Sequence, residues 1–160
     1  GQETAKIALG IGMNVLFTDK FVGKTQINLN LANDKKISFD LESSDMTELL
    51  KNSDFISLHV PAQKSYVIGK NEFNLMKTGA GLINAARGGV VDEKSLIESL
   101  DSGKLAFAGV DTFENEPKPS VKLLMHPKVS LTPHIGAATI EAQDRIGIEL
   151  ANQIMTLVKE

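Results

Sequence analysis

The chain has 160 residues, of which 42% are hydrophobic and 23% are charged, and its formal net charge is −3. These values are typical of one globular domain or of part of a larger one, and they exclude intrinsic disorder and low-complexity fibre. The absence of Cys excludes disulfides, thiolate metal sites and cysteine nucleophiles. The slight negative charge argues against general nucleic-acid binding, and no apolar run is long enough to cross a membrane.

Apolar runs and amphipathic segments alternate along the chain, which predicts strands separated by helices. The first half predicts a helix at 1–9, a strand at 14–17, a connection of uncertain structure at 20–36, a short strand at 37–39, a helix capped by Asp45 and a strand at 54–60. The second half predicts a helix at 71–77, a strand at 81–84, a helix at 92–100, a strand at 106–110, a loop at 112–127, a strand at 129–131 and a helix from Thr139 to about Lys159. This order favours an α/β fold with a mostly parallel sheet that helices cover on both faces.

The last predicted helix carries an apolar stripe, formed by Ile146, Leu150, Ile154 and Leu157. Such a stripe faces either the core of the same domain or an interface with another chain. We favour the core.

Ligands of a parallel sheet bind at the carboxyl ends of its strands, so the polar residues that follow each strand are the candidates for function. Asp19 ends the first predicted strand. In a dinucleotide-binding fold an acidic residue about 20 positions beyond the glycine fingerprint binds the adenosine ribose, and Gly1 stands at about that distance before Asp19. An Asp at the end of a strand also serves as a capping or turn residue, and this alternative stays open.

The segment 85–89, Ala-Ala-Arg-Gly-Gly, follows another strand. Its small residues allow a ligand to approach the backbone, and the planar fork of Arg87 can bind a carboxylate through two parallel hydrogen bonds. A surface arginine in a turn would show the same pattern, so the segment alone does not decide between the two.

His134 stands near the start of the last helix, between Pro133 and Gly136, and a carboxylate on the preceding loop could pair with its imidazole and orient it for proton transfer. A single loop histidine can also be purely structural. We predict that His126 is a surface loop residue and that His59 is a strand-end residue near the cofactor without a chemical role.

Four segments occur together in an order that resembles the D-isomer-specific 2-hydroxyacid dehydrogenases, namely 59–61, 83–92, 109–117 and 132–143. The resemblance covers nearly the whole chain and implies a Rossmann-type fold, NAD as cofactor and hydride transfer between NAD and a small D-2-hydroxy acid. Segments 83–117 and 131–143 are most similar to the 3-phosphoglycerate dehydrogenases of the family, which implies 3-phosphoglycerate, of serine biosynthesis, as the substrate. The family further implies a cytoplasmic homodimer that pairs through the nucleotide-binding domain.

The resemblance also implies a role for individual residues. Arg87 matches the residue that holds the substrate carboxylate, His134 matches the general acid and base, and Glu116 matches the carboxylate that supports the histidine. Glu114 has no place in the pattern, and we predict a solvated loop charge. Contacts with the cofactor are expected from Gly1, Asp19, His59, Val60, Pro61, Ala85, Ala86, Arg87, Asp111, His134, Gly136 and Ala137.

Two further expectations concern the ligands. The charge of Asp19 indicates NAD over NADP because it would repel a 2′-phosphate, although Lys20 beside it opposes this. Three scattered His and no Cys predict no metal site.

The chain departs from the family pattern at its start, where Gly1 is the only glycine that matches the G-x-G-x-x-G fingerprint. The strand before the fingerprint and the substrate-binding lobe have no counterpart in residues 1–160. We therefore expect an incomplete dinucleotide-binding domain with a gap in its sheet and little activity by itself. The alternatives are a non-catalytic NAD-binding regulatory module and an inactive fragment that dimerises.

Overall fold

The computed structural model describes residues 1–158, and its parallel sheet has the strand order β3-β4-β5-β6. The elements are α1 (Gln2–Gly10), β1 (Lys24–Asn30), β2 (Lys36–Glu42), α2 (Met46–Asn52), β3 (Phe55–Leu58), α3 (Lys70–Leu75), β4 (Ala80–Asn84), α4 (Glu93–Asp101), β5 (Leu105–Val110), α5 (Val121–Leu124), β6 (Val129–Leu131) and α6 (Ile140–Val158). The fold is α/β, as predicted, and the four strands predicted after residue 53 are confirmed.

One face of the parallel sheet carries the hydrophobic core. Ile56 of β3, Leu82 of β4 and Ala108 of β5 lie side by side in register and are buried. Helices α2 to α5 pack on this face through their buried apolar side chains, among them Leu50, Phe73, Leu96, Leu100 and Leu123. The core is therefore built from residues that share one side of the pleated strands.

The other face of the sheet is open in residues 1–158, so the prediction of helices on both faces is wrong for the part of the chain that the structure describes. Phe55, Ile83 and Phe107 alternate with the core residues along β3, β4 and β5, and each is more than a third exposed. Helix α1 does not cover them, because it packs against β1 of the separate hairpin.

The predicted helix caps are confirmed. Asp45 and Asp92 accept hydrogen bonds from the backbone N–H groups of the first turns of α2 and α4, and Thr139 Oγ1 accepts one from Ala142. Such bonds satisfy N–H groups that have no partner inside the helix. Helix α6 runs to Val158, and the predicted end at Lys159 lies outside the described residues.

Residues 24–42 form an antiparallel hairpin, of which only the short strand at 37–39 was predicted. The turn places Asn33 and Asp34 at φ values of 58° and 57°, a left-handed conformation that Asn and Asp adopt more readily than most residues. One side of the hairpin carries polar cross-strand pairs, among them Lys24 with Glu42 and Gln26 with Asp40, and the other side buries Ile27. The alternation of polar and apolar residues from Gln26 to Asn30 is the signal that could have revealed it.

The strand predicted at 14–17 does not form. Phe17 alone makes a bridge, to Ser43, and its carbonyl accepts the Ser44 N–H at 2.8 Å. A strand needs a neighbour along its whole length to satisfy its N–H and C=O groups, and within the described residues this segment has only the bridge between Phe17 and Ser43.

The apolar stripe of α6 is more than half exposed at Ile146, Leu150, Ile154 and Leu157, so the preference for the core is wrong within residues 1–158. Helical periodicity identifies an apolar face but does not say what covers it. No helix of the described residues is both long enough and apolar enough to cross a bilayer.

His126 is a structural residue and not the surface residue that was predicted, since its side chain is only 7% exposed. The Lys128 N–H donates to His126 Nδ1 at 3.2 Å, so the ring proton sits on Nε2, which donates to Asp101 at 3.2 Å. Lys128 Nζ also donates to the Leu100 carbonyl at 2.6 Å. These bonds tie the end of α4 to the start of β6.

We predict that Thr112→Val stabilises the protein. Thr112 is 2% exposed, and its hydroxyl has no hydrogen-bond partner within residues 1–158. Because an unpaired buried polar group costs about 1–3 kcal/mol, an isosteric methyl in its place should raise the free energy of unfolding by about 1–2 kcal/mol in urea denaturation. Thr112→Ser keeps the hydroxyl, removes the methyl and should lower it. A valine variant less stable than the parent would contradict the prediction.

Candidate active site

The loops that follow β4, β5 and β6 meet at the carboxyl edge of the sheet. A groove of about 200 Å³ lies between them, and its walls include Asn84, Ala85, Gly109, Asp111 and Thr132. A parallel sheet brings the carboxyl ends of its strands to one edge, and this is where such folds bind ligands.

Asp111, directly after β5, holds the loop that follows β6. Its Oδ1 accepts hydrogen bonds from Thr132 Oγ1 at 2.6 Å and from the Ile135 N–H at 2.9 Å, and its Oδ2 accepts one from the Gly136 N–H at 3.1 Å. The residue is 7% exposed. Burial raises the pKa of Asp111, but these hydrogen bonds outweigh burial and hold it below its usual value.

His134 lies inside the loop that Asp111 holds, in the left-handed backbone region at φ 53°. Its Nδ1 is 2.7 Å from Glu116 Oε2, and the other carboxylate oxygen of Glu116 accepts the Phe113 N–H at 2.9 Å. The hydrogen bond with His134, followed by that from Phe113, lowers the pKa of Glu116. Both side chains are at least a third exposed, so the pair is accessible to a ligand.

Arg87 lies in the turn after β4, which the side chain of Asn84 organises. Asn84 Oδ1 accepts the Ala86 N–H at 3.2 Å, and its Nδ2 donates to the Arg87 carbonyl at 3.1 Å. The Arg87 guanidinium donates to the Ala86 carbonyl at 2.6 Å, and the ion pairs of residues 1–158 do not include it. Arg87 is therefore an exposed cation whose remaining donors can meet an anion.

Gly88, the next residue, allows the turn after β4 to lie directly against the loop after β5. A Cβ at this position would overlap the carbonyl oxygen of Phe113, so no other residue fits there without a backbone shift. The turn that carries Arg87 and the loop that carries Glu116 are thus in direct backbone contact.

The prediction that Glu114 is a solvated loop charge is wrong. Glu114 Oε1 accepts the Glu93 N–H at 2.9 Å, and the Glu114 N–H donates to Glu93 Oε1 at 2.8 Å. The two residues are 21 positions apart, so no local pattern could have shown the contact.

The cofactor residues expected in the first half of the chain lie outside these three loops. Asp19 is exposed, and its Oδ1 accepts the N–H groups of Phe21 and Val22 at 2.8 and 3.0 Å, as in a turn, while its contact with the ribose stays a prediction. Gly1 lies beside His59, whose Nε2 is 2.9 Å from Ser57 Oγ and whose pKa is lowered by burial. Val60 and Pro61 follow His59 beyond the end of β3.

The remaining expected cofactor residues lie on the three loops of the groove. Ala85 is exposed and Ala86 buried in the turn after β4, and Gly136 and Ala137 follow His134. The structure thus brings the expected cofactor residues from Ala85 to Ala137 together at the carboxyl edge of the sheet. The sequence assigns no role to Asn84, Gly88, Glu93 or Thr132, which together with Glu114 hold these loops in place.

The small residues Ala85 and Gly109 line this groove beside Asn84, Asp111 and Thr132, so its wall combines small apolar residues with polar groups. Among residues 1–158, no three His, Asp or Glu side chains lie close enough together to hold a metal ion.

Comparison with known proteins gives a family for this arrangement. Residues 1–136 match the model for "D-isomer specific 2-hydroxyacid dehydrogenase, NAD binding domain". A hydroxypyruvate reductase from Thermotoga maritima is 43% identical over 159 residues, which cover 96% of this chain and 48% of the relative. A D-3-phosphoglycerate dehydrogenase from Archaeoglobus fulgidus is 42% identical over 99% of this chain and 29% of the relative.

A solved structure agrees with the sequence comparisons. The crystal structure of a glyoxylate reductase from Paecilomyes thermophila superposes with a TM-score of 0.81 at 32% identity, over 100% of this chain and 46% of that protein. The chain belongs to the D-isomer specific 2-hydroxyacid dehydrogenase family, and it matches the NAD-binding domain. It spans less than half the length of these relatives.

We predict that the stabilising effect of Asp111 is lost in acid. A carboxylate whose pKa is lowered by folding stabilises the protein above its unfolded pKa of about 3.9, and the effect disappears as the pH falls through the folded pKa. Asp111→Asn should therefore lower the free energy of unfolding by about 2–4 kcal/mol near neutral pH, and the difference from the parent should shrink below about pH 4. Denaturant titrations at several pH values measure it. A difference that is independent of pH would contradict the prediction.

Proposed function

We propose that the protein to which this chain belongs is an NAD-dependent oxidoreductase of D-2-hydroxy acids. In this proposal residues 1–160 are its dinucleotide-binding part, and the substrate-binding lobe lies in another part of the protein. The observation that carries the proposal is the 2.7 Å contact between His134 Nδ1 and Glu116, on loops that flank the groove. The loop of Glu116 also contacts the turn of Arg87, which has no ion-pair partner within residues 1–158. Family membership supports it.

His134 is the proposed acid and base. Glu116 accepts the Nδ1 proton and orients the ring, which leaves Nε2 to take the proton from the C2 hydroxyl during oxidation and to return it during reduction. NAD, when bound in the groove, supplies the acceptor for the C2 hydride. Arg87 binds the substrate carboxylate and fixes C2 between the histidine and the cofactor.

Among the possible substrates we propose 3-phosphoglycerate. The 42% identity to a D-3-phosphoglycerate dehydrogenase supports it, while the 43% identity to a hydroxypyruvate reductase supports hydroxypyruvate as the alternative. The purified full-length protein, assayed by NADH absorbance with 3-phosphoglycerate, hydroxypyruvate and glyoxylate, separates the candidates by kcat/KM. No turnover with any 2-hydroxy or 2-oxo acid would contradict the proposed function.

His134→Ala in the full-length protein should lower kcat by about 10²- to 10⁴-fold, because a positioned acid or base contributes that factor to proton transfer. The affinity for NAD, measured by calorimetry, should remain, since the groove keeps its walls. His126→Gln is the matched control and should retain turnover, since that ring bonds Asp101 and the Lys128 N–H before β6 and has no proposed role in binding or proton transfer. Unchanged kcat in the His134 variant would refute the assignment.

Arg87→Lys should raise the KM for the 2-hydroxy acid roughly tenfold or more, because an ammonium cannot reproduce two parallel hydrogen bonds to a carboxylate. Arg145→Lys, the same exchange on α6, is the matched control and should leave KM unchanged. Equal KM values for the Arg87 variant and the parent would show that Arg87 does not bind the carboxylate.

A further inference from the structure

The loop that carries Glu116 is tied to the start of α4 by two reciprocal hydrogen bonds. The Glu93 N–H donates to Glu114 Oε1 at 2.9 Å, and the Glu114 N–H donates to Glu93 Oε1 at 2.8 Å. Glu93 is the first residue of α4 and is only 7% exposed. Each carboxylate thus accepts a hydrogen bond from the backbone N–H of the other residue. Both bonds hold the chain at Glu114, two positions before Glu116.

A second contact fixes the same stretch of backbone from another side. The carbonyl of Phe113 lies against Gly88, where no Cβ fits, and the side chain of Phe113 is buried in the core. The Phe113 N–H then donates to Glu116 Oε1 at 2.9 Å. The Phe113–Glu114 peptide is therefore held between α4 and the turn after β4, and the preceding peptide, through the Phe113 N–H, donates to the carboxylate that meets His134.

Glu93 and Glu114 lie close to each other and to other acidic groups. Burial raises the pKa of Glu93 despite the hydrogen bond from the Glu114 N–H, and the charge of Glu114 adds to this effect. Glu114 is also the largest cause of the raised pKa of Tyr66, with a smaller contribution from Asp92. Two carboxylates at close quarters repel each other, so the hydrogen bonds to backbone donors are what keeps them together.

We infer that Glu93 and Glu114 are positioning residues for proton transfer: their reciprocal hydrogen bonds hold the loop so that Glu116 meets His134 Nδ1. This inference rests on the proposed function. Neither residue needs to touch the substrate, since both act through Glu116. Glu93 and Glu114 are 21 positions apart in the sequence, one before β5 and the other after it.

The kinetic test uses the full-length protein. Glu114→Ala removes the acceptor of the Glu93 N–H, and kcat should fall roughly 10- to 100-fold, because small displacements of reacting groups have effects of that size. KM for the 2-hydroxy acid should change less than about twofold, since Arg87 remains. Glu114→Gln keeps an acceptor oxygen and should restore most of kcat. A glutamine variant as slow as the alanine variant would overturn the inference.

A double-variant cycle separates positioning from general stability. In a Glu116→Ala background the group that Glu114 positions is gone, so adding Glu114→Ala should lower kcat no further. The same fall in both backgrounds would mean that Glu114 acts independently of Glu116, and this would overturn the inference. Glu98→Ala, an exposed glutamate on α4, is the matched control for both measurements.

A spectroscopic test needs no turnover, so it still decides the inference if the proposed function fails. The ¹⁵N signal of His134 Nδ1, identified by its absence in His134→Asn, should move in Glu114→Ala toward its position in Glu116→Ala and stay in place in Glu98→Ala. If Glu114→Ala does not fold by circular dichroism, Glu114→Asp replaces it, because its shorter side chain withdraws the acceptor. A His134 signal that Glu114→Ala or Glu114→Asp leaves unchanged would overturn the inference.

Discussion

The buried carboxylate of Asp111 is the constraint on which the candidate site depends. A buried charge is unfavourable unless it is hydrogen-bonded, and Asp111 finds its three donors on the loop after the neighbouring strand β6. Two of them are the backbone N–H groups of Ile135 and Gly136, which directly follow His134. The histidine is in a backbone conformation that few residues other than glycine adopt, and the hydrogen bonds to Asp111 on either side of it hold it there.

Direct contacts join the loops that follow β4, β5 and β6. The turn after β4 contacts the loop after β5 at Gly88 and Phe113, that loop reaches His134 through Glu116, and Asp111 closes the connection between β5 and β6. The parallel sheet makes this possible, since it ends three successive strands at one edge. Displacing any one loop therefore moves the other two, and the effects of substitutions at these contacts should not be additive.

Contacts between residues close in sequence could be predicted from the residues themselves, whereas contacts between distant segments could not. Helix caps such as Asp92 bond to residues two or three positions away, and they were predicted correctly. Glu114 and His126 find their partners 21 and 25 positions away, which no periodicity reveals, and both were misread. The segment 14–17 has a strand's composition, but strand formation also requires a neighbour. The roles of the candidate site residues came from the family resemblance, whereas the residues that hold them came from the structure.

The charged side chains of the candidate site differ in how far the chain itself provides them with partners. The carboxylate oxygens of Asp111 and Glu116 are hydrogen-bonded to groups of the protein itself. Neither residue therefore presents an unpaired negative charge to an incoming acid. Arg87 uses one donor on the Ala86 carbonyl, which orients the guanidinium, and has no acidic partner within the part of the chain that the structure describes. In the proposed function, an anionic substrate would therefore meet a cation oriented by the Ala86 carbonyl and a His134–Glu116 pair already in contact, and oriented charges of this kind stabilise a reaction most effectively.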